Sequence, residues 1–148
     1  MRDGNRERIM QDRPTAIELL EAAADFIDRE IVAATKGRAQ FQSRVAANVM
    51  RIVAREIQME DGFVRNEVRA LAQLLGHPEP QIQGLDELHK AALALSEELC
   101  GKIRAGEADA GGWRAQVLAA VRRSVEDKLR IANPRYIEAD LAARNAAG

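Results

Sequence analysis

Apolar residues along this chain recur at steps of three and four rather than two, a pattern that predicts helices and no sheet. In "RPTAIELLEAAADFIDREIVAAT", Ile17, Leu20, Ala24, Ile27, Ile31 and Ala34 form one seam. Thr15 and Glu18 precede it in the S/T-x-x-E arrangement, in which each side chain satisfies a backbone N–H at a helix start. A first helix over 16–34 is expected, ended by Gly37. A second, over 39–59, presents Phe41, Val45, Val49, Ile52 and Val53 on one arc. "EDG" interrupts the pattern, and a shorter third helix carries Val64, Val68, Leu71 and Leu75 as far as Gly76.

Leu85, Leu88, Ala92, Leu95, Leu99 and Ile103 define a fourth helix that stops before Gly106. The fifth, over 113–132, shows Val117, Leu118, Val121, Val125 and Leu129. Pro134 forbids its continuation and drives Asn133 out of helical geometry. Short connections force antiparallel neighbours, so the expected fold is all-α, an up-and-down bundle of about five helices. The bundle domain is placed at 14–136, after a flexible stretch over 1–13 and before a C-terminal extension over 137–148 that holds a short helix.

Composition narrows the class. Cys100 is the one cysteine, which excludes an intrachain disulfide and reads as a small core hydrophobe in a reducing cytoplasm. "MRDGNRERIMQDRP" lacks the apolar core of a signal peptide, and no apolar run approaches the roughly 18 residues that span a bilayer, so no membrane partner is expected. The net charge is -1 with both signs interspersed, and the few aromatics are scattered, so nucleic acid is not an expected partner either.

Catalytic signatures do not assemble. "DELH" puts Asp86 and His89 at the spacing of a di-iron motif, but His77 sits beside Pro78 with no carboxylate three residues before it. Ser43, Ser96 and Ser124 fall within helical patterns rather than in a strand-to-helix elbow. "ATKGRAQ" lacks the glycine spacing of a phosphate loop. No catalytic residue, metal or cofactor is predicted.

The polar positions of "SRVAANVMRIVAREIQM" are more informative. Asn48 and Glu56 fall on or beside the apolar arc, and Arg44, Arg51 and Arg55 continue along its edge. In one reading this ridge is a wet face and Glu56 escapes to solvent. In the other, Glu56 is buried and pairs a cation from Lys128, Arg104 or Arg135. Arg135 is preferred for its planar two-point geometry, with Asn48 bonding backbone freed around Asn133. The same arginines could instead receive an anionic acyl or phosphate group. Wide apolar arcs on helices one and four also raise self-association.

The segments "RPTAIELLEAAADFI", "RVAANVMRIVAREI", "ELCGKIRAGEAD" and "KLRIANPRY" resemble a bacterial family of small helical domains without an assigned activity. The similar residues are Arg44, Asn48, Arg55, Glu56, Glu98, Arg104, Gly106, Asn133, Pro134, Arg135 and Tyr136. The resemblance implies genes lying beside those of aminoglycoside-phosphotransferase-like kinases and acyl-CoA dehydrogenases. It therefore implies a non-catalytic accessory or regulatory module with one of these enzymes as its protein partner.

Overall fold

The computed structural model describes residues 13–146, and every regular element among them is helical. The fold is all-α, as the periodicity predicts. Contacts divide the chain into two compact units, Met1–Gln58 and Met59–Gly148, and each has its own construction.

The first unit opens with α1, Ala16–Phe26. Its capping box is closed in both directions: the Thr15 N–H donates to Glu18 Oε2 at 2.7 Å and the Glu18 N–H to Thr15 Oγ1 at 3.2 Å. The helix widens into a π turn over Ile27–Ile31 and ends with α2, Val32–Ala34. Thr35 is extended, and its hydroxyl returns to Ile31 O at 2.6 Å. Gln40 Nε2 reaches Val32 O at 3.0 Å, so two carbonyls left open at the helix end find donors.

Gly37, with φ +61°, starts α3, Gly37–Leu75. This corrects the expectation of two helices here: Gly37 opens the next helix directly, and "EDG" lies inside a run of 39 residues. Gly62 is poor in a helix interior by roughly 1 kcal/mol, a cost too small to break one supported on both sides. Arg65 supplies part of that support, donating from Nε to Asp61 Oδ2 at 2.9 Å one turn back.

Within the first unit α1 and the start of α3 run antiparallel, and the side chains closest to zero exposure are Ala24, Ala47 and Ala54. The α1 seam holds as far as Ile31, since Ile17, Leu20, Ile27 and Ile31 are half-buried and Ala24 is buried, while Ala34 at its end is exposed. The α3 arc does not. Phe41, Val45, Val49 and Val53 are exposed, Phe41 at 67%, and only Ile52 of the predicted set is half-buried. Small residues let two helices approach closely, so the alanine side faces inward and the larger residues are left outside.

The second unit holds the C-terminal part of α3 with α4, Leu85–Arg104, α5, Gly112–Ala132, and α6, Pro134–Ala146. Val68, Leu88 and Ala92 form one buried cluster, and Leu71, Leu99 and Val117 a second, flanked by Leu95 and Trp113. Both α3 and α4 end in the same device. Gly76, at φ +76°, bonds back to Gln73 O while the His77 N–H reaches Ala72 O; Gly106, at φ +85°, bonds to Ile103 O while the Glu107 N–H reaches Lys102 O. The loop between α3 and α4 is held by Arg65, which donates to Ile82 O at 2.8 Å and Gln83 O at 3.1 Å. At Asn133 the backbone leaves helical geometry and Pro134 begins α6, as the missing proline N–H requires.

Two outcomes test this account. A Cβ added at Gly62 meets nothing within 4 Å, so Gly62→Ala should raise unfolding free energy by about 0.5–1 kcal/mol in urea melts; a loss would show that the helix needs a glycine there. Glu18 is held below its ordinary pKa of 4.5, first by the Thr15 N–H bond. Its contribution is therefore complete above that value and lost as pH falls below it, so the gap in melting temperature between the native chain and Glu18→Gln should close on acidification.

Candidate functional site

The helical pattern of the second unit leaves a concave surface. A cleft of about 250 Å3 opens between α3, α4 and α5, floored by apolar side chains including Leu71, Leu99, Ile103 and Val121. It arises because α5 buries Val117 but leaves Leu118, Val121 and Val125 outside, so part of its apolar face has nothing packed on it.

A polar bracket borders the cleft. The Ser124 hydroxyl donates to Glu67 Oε1 at 2.5 Å, and Lys128 Nζ donates to Glu67 Oε1 at 3.2 Å and to Ser124 Oγ at 2.9 Å. Glu67 is 19% exposed and Lys128 70%, so one carboxylate of α3 at the edge of the unit is held between two donors from α5. Serine and lysine one turn apart invite a nucleophile reading. Catalysis would also need donors aimed at a developing oxyanion. Ser124 lies mid-helix, where neighbouring N–H groups are committed to the helix ladder, so the arrangement ties α3 to α5 instead. Asp127 is paired with Arg130 at 2.5 Å, whereas Arg123, also at the cleft, makes no ion pair among the described residues.

The residues singled out from sequence fall elsewhere. Asn48 and Glu56 are exposed. Arg44 is exposed and Arg55 half-buried. Arg51 is engaged inside the first unit, with Nη1 2.6 Å from Asp28 Oδ2 and Nη2 2.9 Å from Asp25 Oδ1. These bonds, to Asp28 first and then Asp25, raise its pKa further and leave little of the guanidinium for an external anion. In the second unit Arg104, Asn133, Arg135 and Tyr136 are all exposed, and the Asn133 carbonyl accepts from the Tyr136 N–H at 3.1 Å to start α6. Lys128, weighed as a partner for Glu56, pairs with Glu67.

Each histidine meets one carboxylate, His89 Nε2 at 2.8 Å from Glu60 Oε1 and His77 Nε2 at 2.8 Å from Glu98 Oε2. Among the described residues no group of three His, Cys, Asp or Glu side chains is placed to hold a metal ion. Cys100 is exposed at the cleft rather than buried in the core, because Leu99 takes the inward position beside it. No helix among the described residues is long and apolar enough to cross a membrane.

Comparison with known families adds one positive result. The family described as "Domain of unknown function (DUF6285)" matches residues 33–136. The chain belongs to this family. The matched span contains α3, α4, α5 and the Asn133–Tyr136 corner, while α1 lies before it. Two of the residues that carried the resemblance have direct structural reasons in this DUF6285 chain: Gly106 adopts the left-handed conformation that ends α4, and Pro134 starts α6. No curated protein and no solved structure matches the chain.

The bracket predicts unequal substitution effects. Ser124→Ala should cost about 1–2 kcal/mol, because it removes a hydrogen bond to a charged, largely covered group. Lys128→Met should cost less than about 1 kcal/mol, because its ammonium is mostly in water. A larger loss for Lys128→Met than for Ser124→Ala in denaturant melts would show that Lys128, not Ser124, holds the bracket.

Proposed function

We propose that this chain is a non-catalytic accessory module that docks onto a larger enzyme and grips an apolar segment of it in the cleft between α3, α4 and α5. The observation that carries the reading is the cleft itself, with Leu118, Val121 and Val125 exposed along α5 and apolar side chains on its floor. Such a surface suits a partner helix laid into a groove, with the polar bracket at its border fixing register. Exposed apolar surface of this kind marks interaction sites more often than it serves stability.

The partner class comes from the family resemblance: a bacterial, cytoplasmic phosphotransferase-like kinase or acyl-CoA dehydrogenase encoded beside it. Co-expression with each neighbour should give a complex with one of them that survives purification, and Val121→Asp should weaken it at least tenfold while the module stays folded. Recovery of neither enzyme with the module contradicts the reading.

A second reading has its own observation. Arg123 is a cation at the cleft without an ion pair among the described residues, and an apolar cleft beside a guanidinium suits an acyl compound with an anionic head. A thermal-shift series with CoA thioesters and phosphorylated acids separates the two. Stabilisation that grows with ligand concentration and vanishes in Arg123→Ala supports the small-molecule site, and a flat response supports docking alone.

A further inference from the structure

The exposed row on α3 in the first unit consists of Phe41, Val45, Val49, Val53 and Ile57, spaced by four and centred on Val49. From the geometry we infer that this row is the interface between two copies of the chain, packed antiparallel about a two-fold axis at Val49. The inference does not rest on the docking reading, whose cleft belongs to the second unit.

The spacing is the first reason. A two-fold axis at Val49 sets Val45 against Val53, each about 40° from Val49 around the helix, while Phe41 and Ile57 flank that contact from the two edges of the row. An isologous contact requires such self-complementarity.

Charge supplies the second reason. From Gly37 to Arg55, α3 carries basic residues and no acid, and its first carboxylate is Glu56. Arg38 and Glu56 are about five helical turns apart, so at 100° per residue both fall at the same angle, within the arc of the apolar row. Both are exposed, and neither makes an ion pair among the described residues. A parallel copy would set Arg38 against Arg38 and Glu56 against Glu56. An antiparallel copy brings Arg38 to within one turn of Glu56 at both ends, a distance two long side chains can span.

Area is the third. The five side chains expose roughly 500 Å2 per copy, so pairing covers about 1,000 Å2 before flanking stems are counted, the scale at which specific association becomes feasible. Among the described residues the first unit holds the α1 run and the first part of α3, with no third helix to take this place.

Cysteine cross-linking tests the axis. In a Cys100→Ser background, Val49→Cys should form a covalent dimer under mild oxidation, since a residue on a two-fold axis meets its own copy. Val45→Cys alone should stay monomeric, whereas a mixture of Val45→Cys and Val53→Cys chains should cross-link to each other. Val49→Cys that remains monomeric, or Val45→Cys that self-links, overturns the arrangement. Charge reversal gives an independent measurement in sedimentation equilibrium: Arg38→Glu should weaken the dimer at least threefold and Arg38→Glu with Glu56→Arg should restore it. A double variant no tighter than the single one overturns the pairing.

Discussion

A helix longer than the elements that cover it must leave part of its apolar surface to something else, and α3 is such a helix. At 39 residues it extends about 58 Å. In the second unit its neighbours α4 and α5 bury Val68 and Leu71 in two clusters. In the first unit the α1 run is the only other element among the described residues, and what becomes buried there is Ala24, Ala47 and Ala54. Two helices meeting on alanines gain little from the hydrophobic effect, which scales with the apolar area removed from water. The ion pairs of Arg51 with Asp28 and Asp25 fix the register of that contact, and surface pairs of this kind add little energy. The larger residues, from Phe41 to Ile57, represent stabilisation that the isolated chain leaves unused.

The second unit shows the same incompleteness in a milder form. Its core closes around Leu71, Leu99 and Val117, with the Trp113 indole N–H donating to Leu74 O at 3.3 Å. Yet α5 exposes Leu118, Val121 and Val125 beside a cleft of about 250 Å3. The bracket of Glu67, Ser124 and Lys128 ties α3 to α5 at the border of that gap. Both units thus trade some core for surface that can be covered from outside.

Much of the fold was legible in the sequence, because helical periodicity and caps are local. Thr15 with Glu18, Gly76, Gly106 and Pro134 each mark a boundary through backbone chemistry that needs no tertiary information. The long α3 was not legible as one helix, since Gly62 reads as a breaker until Arg65 is seen bridging Asp61 and the following loop. The inward face of its first half was also misread. Size argues for burying Phe41 and Val49, but close helix approach selects Ala47 and Ala54, and periodicity cannot tell a core face from an interface face. The Glu67–Ser124 contact joins residues 57 apart and leaves no local trace. Arg51 drew notice as a cation of a polar ridge, while its partners Asp25 and Asp28, one turn apart along the α1 run, did not.

The central claim is that the row from Phe41 to Ile57 is covered in solution by another protein surface, and the purified chain alone can decide it. Sedimentation velocity from low micromolar to a few hundred micromolar should give a weight-average coefficient that rises from monomer to dimer, with the rise abolished by Val49→Asp. A single monomeric species across the whole range, identical in the native chain and the variant, would contradict it.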